Sequence, residues 1–214
     1  MDWQDDGIVL AVRRHGETAA VLTLLTAGHG RHSGLVRGAT SKRLRGALQP
    51  GNKLHVGWRA RLEEHLGQFT VELLESNAAP LLLHPGRLAA LSSACALVDE
   101  GFAEREPHPE LYQTFSSLVI ALDHDDWAAT YVKWEVTLLA ELGFGLNLGE
   151  CAATGQKEDL VFVSPKSGRA VSAAAGAPYR DRLLPLPAFL ARGGPAEPQM
   201  ILDGLRLTGF FLQR

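Results

Sequence analysis

Cysteine is scarce, with two residues in a chain of 214. A chain of this length can bury a hydrophobic core without disulfides, which are common mainly in small secreted domains. Cys95 lies in an apolar pattern of helical spacing, so we expect a small core residue there. Cys151 has no second cysteine at C-x-x-C spacing, because threonine stands at position 154. The sequence therefore predicts neither a disulfide scaffold nor a structural zinc site.

Long apolar runs are also missing. No run approaches the roughly 18 residues that a membrane-spanning helix needs. The first six residues carry three aspartates, Asp2, Asp5 and Asp6, where a secretory signal would be basic and then apolar. We expect a cytoplasmic protein.

Motifs for catalysis are absent as well. The sequence contains neither G-x-S-x-G nor H-E-x-x-H. Glycine runs at Gly28 and Gly143 do not open a helix after a buried strand, as a dinucleotide site requires. His29 and His32 have ligand-like spacing without a cysteine or carboxylate nearby, so we interpret them as surface histidines. A non-enzymatic protein is favoured, and an enzyme assembled from distant residues stays an alternative.

Acidic residues are missing from one long segment. Residues 18–62 contain no aspartate or glutamate and eight lysines and arginines, a local charge of +8. Residues 83–150 carry eleven acids against three bases, a local charge of -8. Clustered basic charge attracts polyanions whatever the overall net charge of the chain. This favours nucleic-acid binding; the alternative is that the acidic segment simply neutralises the basic one.

Turn residues divide the basic part of the chain into short apolar strands. Strands are predicted at residues 7–13, 18–26, 31–37, 53–60 and 68–74, each bounded by glycine, proline or asparagine. Five short strands without a long helix indicate a small barrel, such as an OB-fold, at residues 1–80. An SH3-like barrel has the same periodicity.

Helical spacing follows Pro80. Apolar residues recur at helical intervals over 88–102, 111–122, 126–142, 186–190 and 200–212. Between them, residues 150–182 are irregular around a strand-like stretch at 160–163. The fold class is therefore α+β, with a helical domain at 81–214 that carries an irregular insertion at about 150–182.

The basic loop between the third and fourth strands is the strongest functional signal. Lysine and arginine neutralise phosphates, and glycines let the backbone approach the nucleic acid. Trp58 is expected either to stack on a base or to pack inside the barrel. Arg59 is expected to contact DNA or to solubilise a strand edge. The loop cations are Arg37, Lys42, Arg43 and Arg45.

Three blocks of sequence resemble one protein family. Residues 34–43 and 48–51, with Arg14 and Gly16-Glu17, resemble the barrel of RecO recombination mediators. Residues 133–135 and 138–145 resemble that family's central helix and its exit. Residues 164–172 resemble its alphaproteobacterial branch. The blocks occur in the family's order.

The resemblance implies a DNA repair and recombination mediator without catalytic activity. Such a protein binds single- and double-stranded DNA, anneals complementary strands and, with RecR, helps RecA load onto DNA coated by single-stranded DNA-binding protein in the RecF pathway. Its helical domain docks the tail of the single-stranded DNA-binding protein, and Lys133 is our candidate for the cation that meets the tail carboxylate. The DNA-binding residues implied are Arg14, Arg31, Arg37, Lys42, Arg43 and Arg45.

One departure from the family concerns zinc. Many members carry four cysteines in the insertion, and here Thr154, Ser172 and Ala175 stand near the places of the other three. We therefore expect a degenerate zinc-knuckle-like insertion and no cofactor. The alternative function is an OB-fold that binds RNA or serves as a protein-interaction scaffold.

Overall fold

A computed structural model describes all 214 residues, and the chain divides into two compact units. The first unit, Met1–Trp127, contains five strands and four helices. Its strands are β1 (Asp2–His15), β2 (Ala19–Thr26), β3 (Gly30–Val36), β4 (Lys53–Arg59) and β5 (Gln68–Glu75). Its helices are α1 (Lys42–Ala47), α2 (Ala78–Leu81), α3 (Pro85–Gly101) and α4 (Pro109–Ala121).

The five strands form a closed barrel in the order β1-β2-β3-β5-β4. Antiparallel pairs make most of the barrel, and β3 meets β5 in parallel where Leu35 pairs with Gln68. The long β1 pairs with β4 through its first half and with β2 through its second. The five predicted strands are confirmed, and β1 begins five residues earlier than its apolar pattern indicates.

A glycine on β3 leaves space in the barrel interior. A Cβ atom at Gly34 would lie 2.5 Å from the ring of Phe69, so any side chain there would displace the ring. Phe69 packs with Leu22, Leu24 and Trp58 in the apolar core. The missing side chain on β3 therefore makes room for an aromatic residue from β5.

Helix α3 packs against the barrel at β1. Cys95 is buried, and its thiol donates a hydrogen bond to the carbonyl oxygen of Val9 over 3.7 Å. Burial raises the pKa of Cys95 to about 12. The expectation of a small core residue on a helix is confirmed.

The segment expected as a basic loop contains a short helix. The Ser41 side chain caps α1 by accepting a hydrogen bond from the backbone N–H of Leu44 at 3.4 Å. Asn52 fixes the other end, because its side-chain amide donates to the carbonyl oxygens of Gly46 at 3.1 Å and Ala47 at 3.0 Å. Its side-chain oxygen also accepts from the backbone of Ala78 at 3.0 Å, where α2 begins.

Replacing Asn52 with alanine should lower the free energy of unfolding by about 2 kcal/mol, because buried partners lose their hydrogen bonds. Urea denaturation followed by circular dichroism measures the change. Gln49→Ala is the matched control, since the Gln49 side chain is exposed and donates only one hydrogen bond. Equal stability of the Asn52→Ala variant and the wild type would contradict this role.

The second unit, Ala128–Arg214, combines helices with a small sheet. Helix α5 (Trp127–Glu141) begins at its boundary, and its exit is set by Gly143 at φ +83°. Strands β6 (Leu160–Val163), β7 (Ala170–Ser172) and β8 (Leu184–Pro185) form a sheet in the order β7-β6-β8. The remaining elements are α6 (Ala173–Gly176), a 3₁₀ helix (Ala177–Arg182), α7 (Ala188–Ala191) and α8 (Pro198–Leu212).

The insertion expected to be irregular is thus partly ordered as a sheet, whose second and third strands are too short to give a periodic signal. The boundary expected at residue 80 falls inside α2, and α2 to α4 lie in the first compact unit with the barrel. The division into an OB-fold domain at 1–80 and a helical domain at 81–214 stays a prediction. No helix is long and apolar enough to cross a bilayer.

Helices α5 and α8 approach each other closely at Gly204. A Cβ atom there would lie 2.8 Å from the Val132 side chain. One turn further along α8, the Thr208 hydroxyl donates to Glu135, which is 6% exposed. Burial raises the pKa of Glu135, and hydrogen bonds from Thr208 and Tyr131 oppose that rise.

Because the folded-state pKa of Glu135 is raised, its contribution to stability falls as pH rises from the unfolded value, about 4.3, through the folded value. Glutamine keeps the size and polarity of this side chain and has no charge. Glu135→Gln should therefore gain stability over the wild type across that window and keep the gain at neutral pH. Urea denaturation at a series of pH values measures the difference; a pH-independent difference would contradict the buried carboxylate as its source.

Candidate nucleic-acid interface

The basic segment lies on the surface as a turn followed by α1. Gly38 adopts φ +65°, a left-handed conformation that glycine tolerates, and the backbone N–H of Ser41 closes the turn on its carbonyl at 3.0 Å. All four predicted loop cations are exposed: Arg37, Lys42, Arg43 and Arg45. The structure therefore gathers them on one short, capped segment.

These four side chains carry uncompensated charge. None of the ion pairs in the structure involves them. The acid-free sequence around the segment explains this, because no carboxylate lies near them in the chain. A polyanion approaching this surface meets cations that do not have to give up an existing partner.

Arg14 joins this surface from β1. Arg14 and Arg45 lie on the rim of the same cavity, which has a volume of about 410 Å³ and which we call the arginine-flanked cavity. The Nε atom of Arg14 donates to the carbonyl oxygen of Gly16 at 3.2 Å, which directs the guanidinium. Two arginines 31 positions apart in sequence therefore line one depression, because β1 and α1 both border it.

Arg31 has a different environment. Its guanidinium donates to Asp99 at 3.0 Å and to the carbonyl oxygen of Phe102 at 2.8 Å. Asp99, on α3, also accepts from the neighbouring Arg13 at 3.2 Å. Arg31 thus anchors the end of α3 to β3, and we leave it out of the proposed interface.

Trp58 lies inside the barrel. It is 2% exposed, and its Nε1 donates to the carbonyl oxygen of Leu66 at 3.0 Å. Of the two roles expected for Trp58, the structure agrees with packing inside the barrel, because the buried ring has no free face on which a base could stack. The half-buried Trp3 stacks on His29 at a centroid distance of 4.0 Å.

Arg59 is exposed at the end of β4 and lies on a second depression. Its cross-strand partners are Asp2 on one side and Gln68 on the other. The depression also includes Trp3 and Thr70, and its volume is about 530 Å³. The structure therefore does not bring Arg59 to the arginine-flanked cavity.

His32 is not a surface residue, contrary to our expectation, whereas the side chain of His29 is 35% exposed. His32 is 3% exposed in the barrel end, where Trp3, Trp58 and Phe69 surround it. Burial, aided by the charge of Arg105, lowers the pKa of His32 to about 4, so the ring is neutral at pH 7. His29 pairs with Asp5 at 3.1 Å. No cluster of three or more histidine, cysteine or acidic side chains is arranged to hold a metal ion.

Arg105 is a residue that the sequence analysis missed. Its guanidinium donates to the carbonyl oxygens of Glu63 and His65, in the loop between β4 and β5, and lies 5.9 Å from the centre of the Trp58 ring. The backbone N–H of Arg105 donates to the carbonyl oxygen of Arg31 at 2.7 Å, and the φ of Arg105 is +66°. No local pattern marks a lone arginine in an acidic segment, so only the folded contacts reveal this role.

Lys133 is exposed on α5, between the buried Val132 and Trp134. Thr137 and Ala140, which follow at helical spacing, are exposed too. No ion pair involves Lys133, so its ammonium group is accessible to an acidic partner.

The surroundings of Cys151 do not fit a zinc site. The thiol is buried, and Ser172 contacts it through both its backbone N–H at 3.3 Å and its hydroxyl at 3.5 Å. Burial raises the pKa of Cys151, but hydrogen bonds, first from the Ser172 side chain and then from Thr154, outweigh burial and lower it to about 6. Two of the three residues expected at former ligand positions thus surround the sulfur, but hydroxyl groups do not replace thiolates as zinc ligands.

Comparison with known proteins gives a consistent result over the whole chain. The family described as Recombination protein O N terminal matches residues 1–77, and Recombination protein O C terminal matches residues 83–214. The chain is 55% identical over 216 residues to the DNA repair protein RecO of Rhodospirillum centenum, covering 100% of this chain and 86% of the relative. It is 52% identical to that of Methylocella silvestris and 50% identical to that of Cereibacter sphaeroides, covering 87% and 89% of those chains and all of this one. With both terminal regions matched and identity sustained along its full length, the chain belongs to the recombination protein O (RecO) family.

Proposed function

We propose that this protein is a non-enzymatic mediator of DNA repair and homologous recombination. It binds single- and double-stranded DNA and anneals complementary strands. With RecR, it helps RecA load onto DNA that is coated by single-stranded DNA-binding protein, and it acts in the bacterial cytoplasm. Membership of the RecO family and the names of its relatives as DNA repair proteins support this proposal.

The exposed, unpaired cations of the turn and α1 are the observation that carries the proposal. Lysine and arginine displace condensed counterions from phosphates, which gives affinity without sequence preference. The barrel order β1-β2-β3-β5-β4, with α1 between β3 and β4, supports an OB-type fold, a class that binds oligonucleotides.

Annealing follows from the same charge. Two complementary strands repel each other through their phosphates, and a cationic surface lowers that repulsion while the bases search for partners. Nothing in this mechanism requires covalent chemistry.

Lys133 supports a second contact. An acidic protein tail that ends in a carboxylate would find an accessible ammonium group on α5. We propose that the tail of the single-stranded DNA-binding protein docks near Lys133 and brings the coated strand to the mediator.

Replacing Lys42, Arg43 and Arg45 with glutamate should weaken DNA binding by about tenfold or more. The number of counterions released on binding, given by the slope of log affinity against log salt concentration, should fall by about two to three. Annealing of complementary oligonucleotides coated with single-stranded DNA-binding protein, measured over a salt series, should slow in parallel. Fluorescence anisotropy gives the affinities, and circular dichroism checks the fold.

The matched control reverses Arg180, Arg182 and Arg192, which are exposed in the second unit and change the net charge equally. It should keep nearly all DNA affinity. Equal losses in the two variants would mean that only the net charge matters, and unchanged affinity in the first would remove the basic segment from the interface.

We propose further that the insertion is stabilised without metal, through the hydrogen bonds around Cys151. Dialysis against a strong chelator should leave the melting temperature within about 1 °C, since a structural zinc site would contribute several kcal/mol. Ser172→Ala should lower the melting temperature, because the Cys151 sulfur loses one hydrogen bond. A chelator-induced drop of ten degrees or more, reversed by added zinc, would contradict this.

A further inference from the structure

The arginine-flanked cavity has an apolar floor. Val12, Ala20, Ala39 and Leu48 contribute to it, and the last three are at most 7% exposed. Small residues create the hollow, since alanine stands at both positions where β2 begins and again in the turn before α1. The volume of about 410 Å³ lies in the range of small-ligand sites.

The rim of this cavity is polar and cationic. Arg14 and Arg45 flank it, and both are exposed and free of ion pairs. Gln49 donates its side-chain N–H to the carbonyl oxygen of Arg45 at 2.7 Å, which fixes the amide and leaves its oxygen available to accept. The exposed Thr40 can both donate and accept. The rim therefore offers hydrogen-bonding groups around an apolar floor.

This combination matches the chemistry of one unstacked nucleobase. A base presents flat apolar faces, which guanidinium planes stack on, and a polar edge, which amides and hydroxyls recognise. The phosphates on either side of that base are anionic and match the two arginines. A base paired within a duplex cannot leave the stack to enter the cavity without losing its pairing energy.

An acidic peptide would also match a cationic rim with an apolar floor. Ala39 and Thr40, which line the cavity, lie in the turn between Arg37 and α1, and Lys42 and Arg43 begin α1, so three further exposed cations are next to the cavity along the chain. A strand with a phosphate at every nucleotide can pair with several of these cations, whereas a single terminal carboxylate pairs with one. Charge complementarity therefore favours a nucleic-acid strand.

We propose that the arginine-flanked cavity receives one base of single-stranded DNA, with Arg14 and Arg45 binding the adjacent phosphates. This inference rests on the proposed DNA binding and extends it. Phosphate contacts along α1 serve single strands and duplexes alike, while the cavity adds affinity for single strands alone.

The test compares a thymine oligonucleotide with an abasic oligonucleotide of equal length and charge. The wild-type protein should bind the thymine strand at least about fivefold more tightly, as one stacked base contributes roughly 1–3 kcal/mol. Ala19→Phe, at the half-buried rim, should reduce that affinity to the abasic value by filling the cavity. Ala39→Leu is a second filling variant, and Ala174→Phe, on an exposed site of α6, is the size-matched control.

The outcomes separate this inference from the proposed function. Equal wild-type affinity for both oligonucleotides would overturn base insertion and leave phosphate binding intact. No binding to either would overturn the proposed function itself. An acidic peptide that binds the wild type and is lost in Ala19→Phe, without any base preference, would assign the cavity to a protein tail and overturn the inference.

Discussion

The side chain of Asn52 holds together the parts on which the interface depends. One buried amide contacts the end of α1 twice and the start of α2 once, over distances of 3.0 to 3.1 Å. A helix of six residues has little stability of its own, because nucleation costs more than a few internal hydrogen bonds return. The position of the basic segment is therefore set by a neutral residue that never meets the solvent.

Basic and acidic residues lie in separate segments of this chain, and only some of the basic residues pair with acidic ones. Asp99, from the acidic segment, accepts hydrogen bonds from both Arg13 and Arg31 and couples α3 to the barrel. The alternative considered from the sequence, neutralisation of the barrel by acidic helices, is thus correct at Arg31. It does not extend to the turn and α1, whose cations have no carboxylate partners. The acid-free residues 18–62 therefore supply an anchor at Arg31 and a free cationic surface on the turn and α1.

Much of the fold follows from local pattern. Alternating apolar residues bounded by turns identified the five strands, and helical spacing located α3, α4, α5 and α8, because these elements bury one face each. The helix α1 was missed, since six residues are too few for a periodic signal. The sheet of the insertion was only partly foreseen, because β7 and β8 pair through backbone atoms over two or three residues.

The candidate site was predictable in its charge and not in its geometry. Local sequence places four cations on one exposed segment, yet it gives no sign that Arg14 lines the same cavity as Arg45 or that Arg31 pairs with Asp99. Those relations depend on which strands close the barrel. Trp58 shows the same limit, because the sequence pattern around an aromatic residue in a strand is the same whether its ring faces the core or a ligand.

The contacts of Arg105 have a consequence for sequence variation. Its guanidinium holds the loop between β4 and β5 through main-chain carbonyl oxygens, which every amino acid possesses. The side chains of Glu63 and His65 can therefore vary without loss of these hydrogen bonds, as long as the loop keeps its length and path. Arg105 has no such freedom, since lysine carries a single ammonium group in place of the planar fork that reaches two carbonyls. Substitutions at Glu63 and His65 would keep both hydrogen bonds from Arg105, whereas an insertion that shifts these carbonyl oxygens would break them.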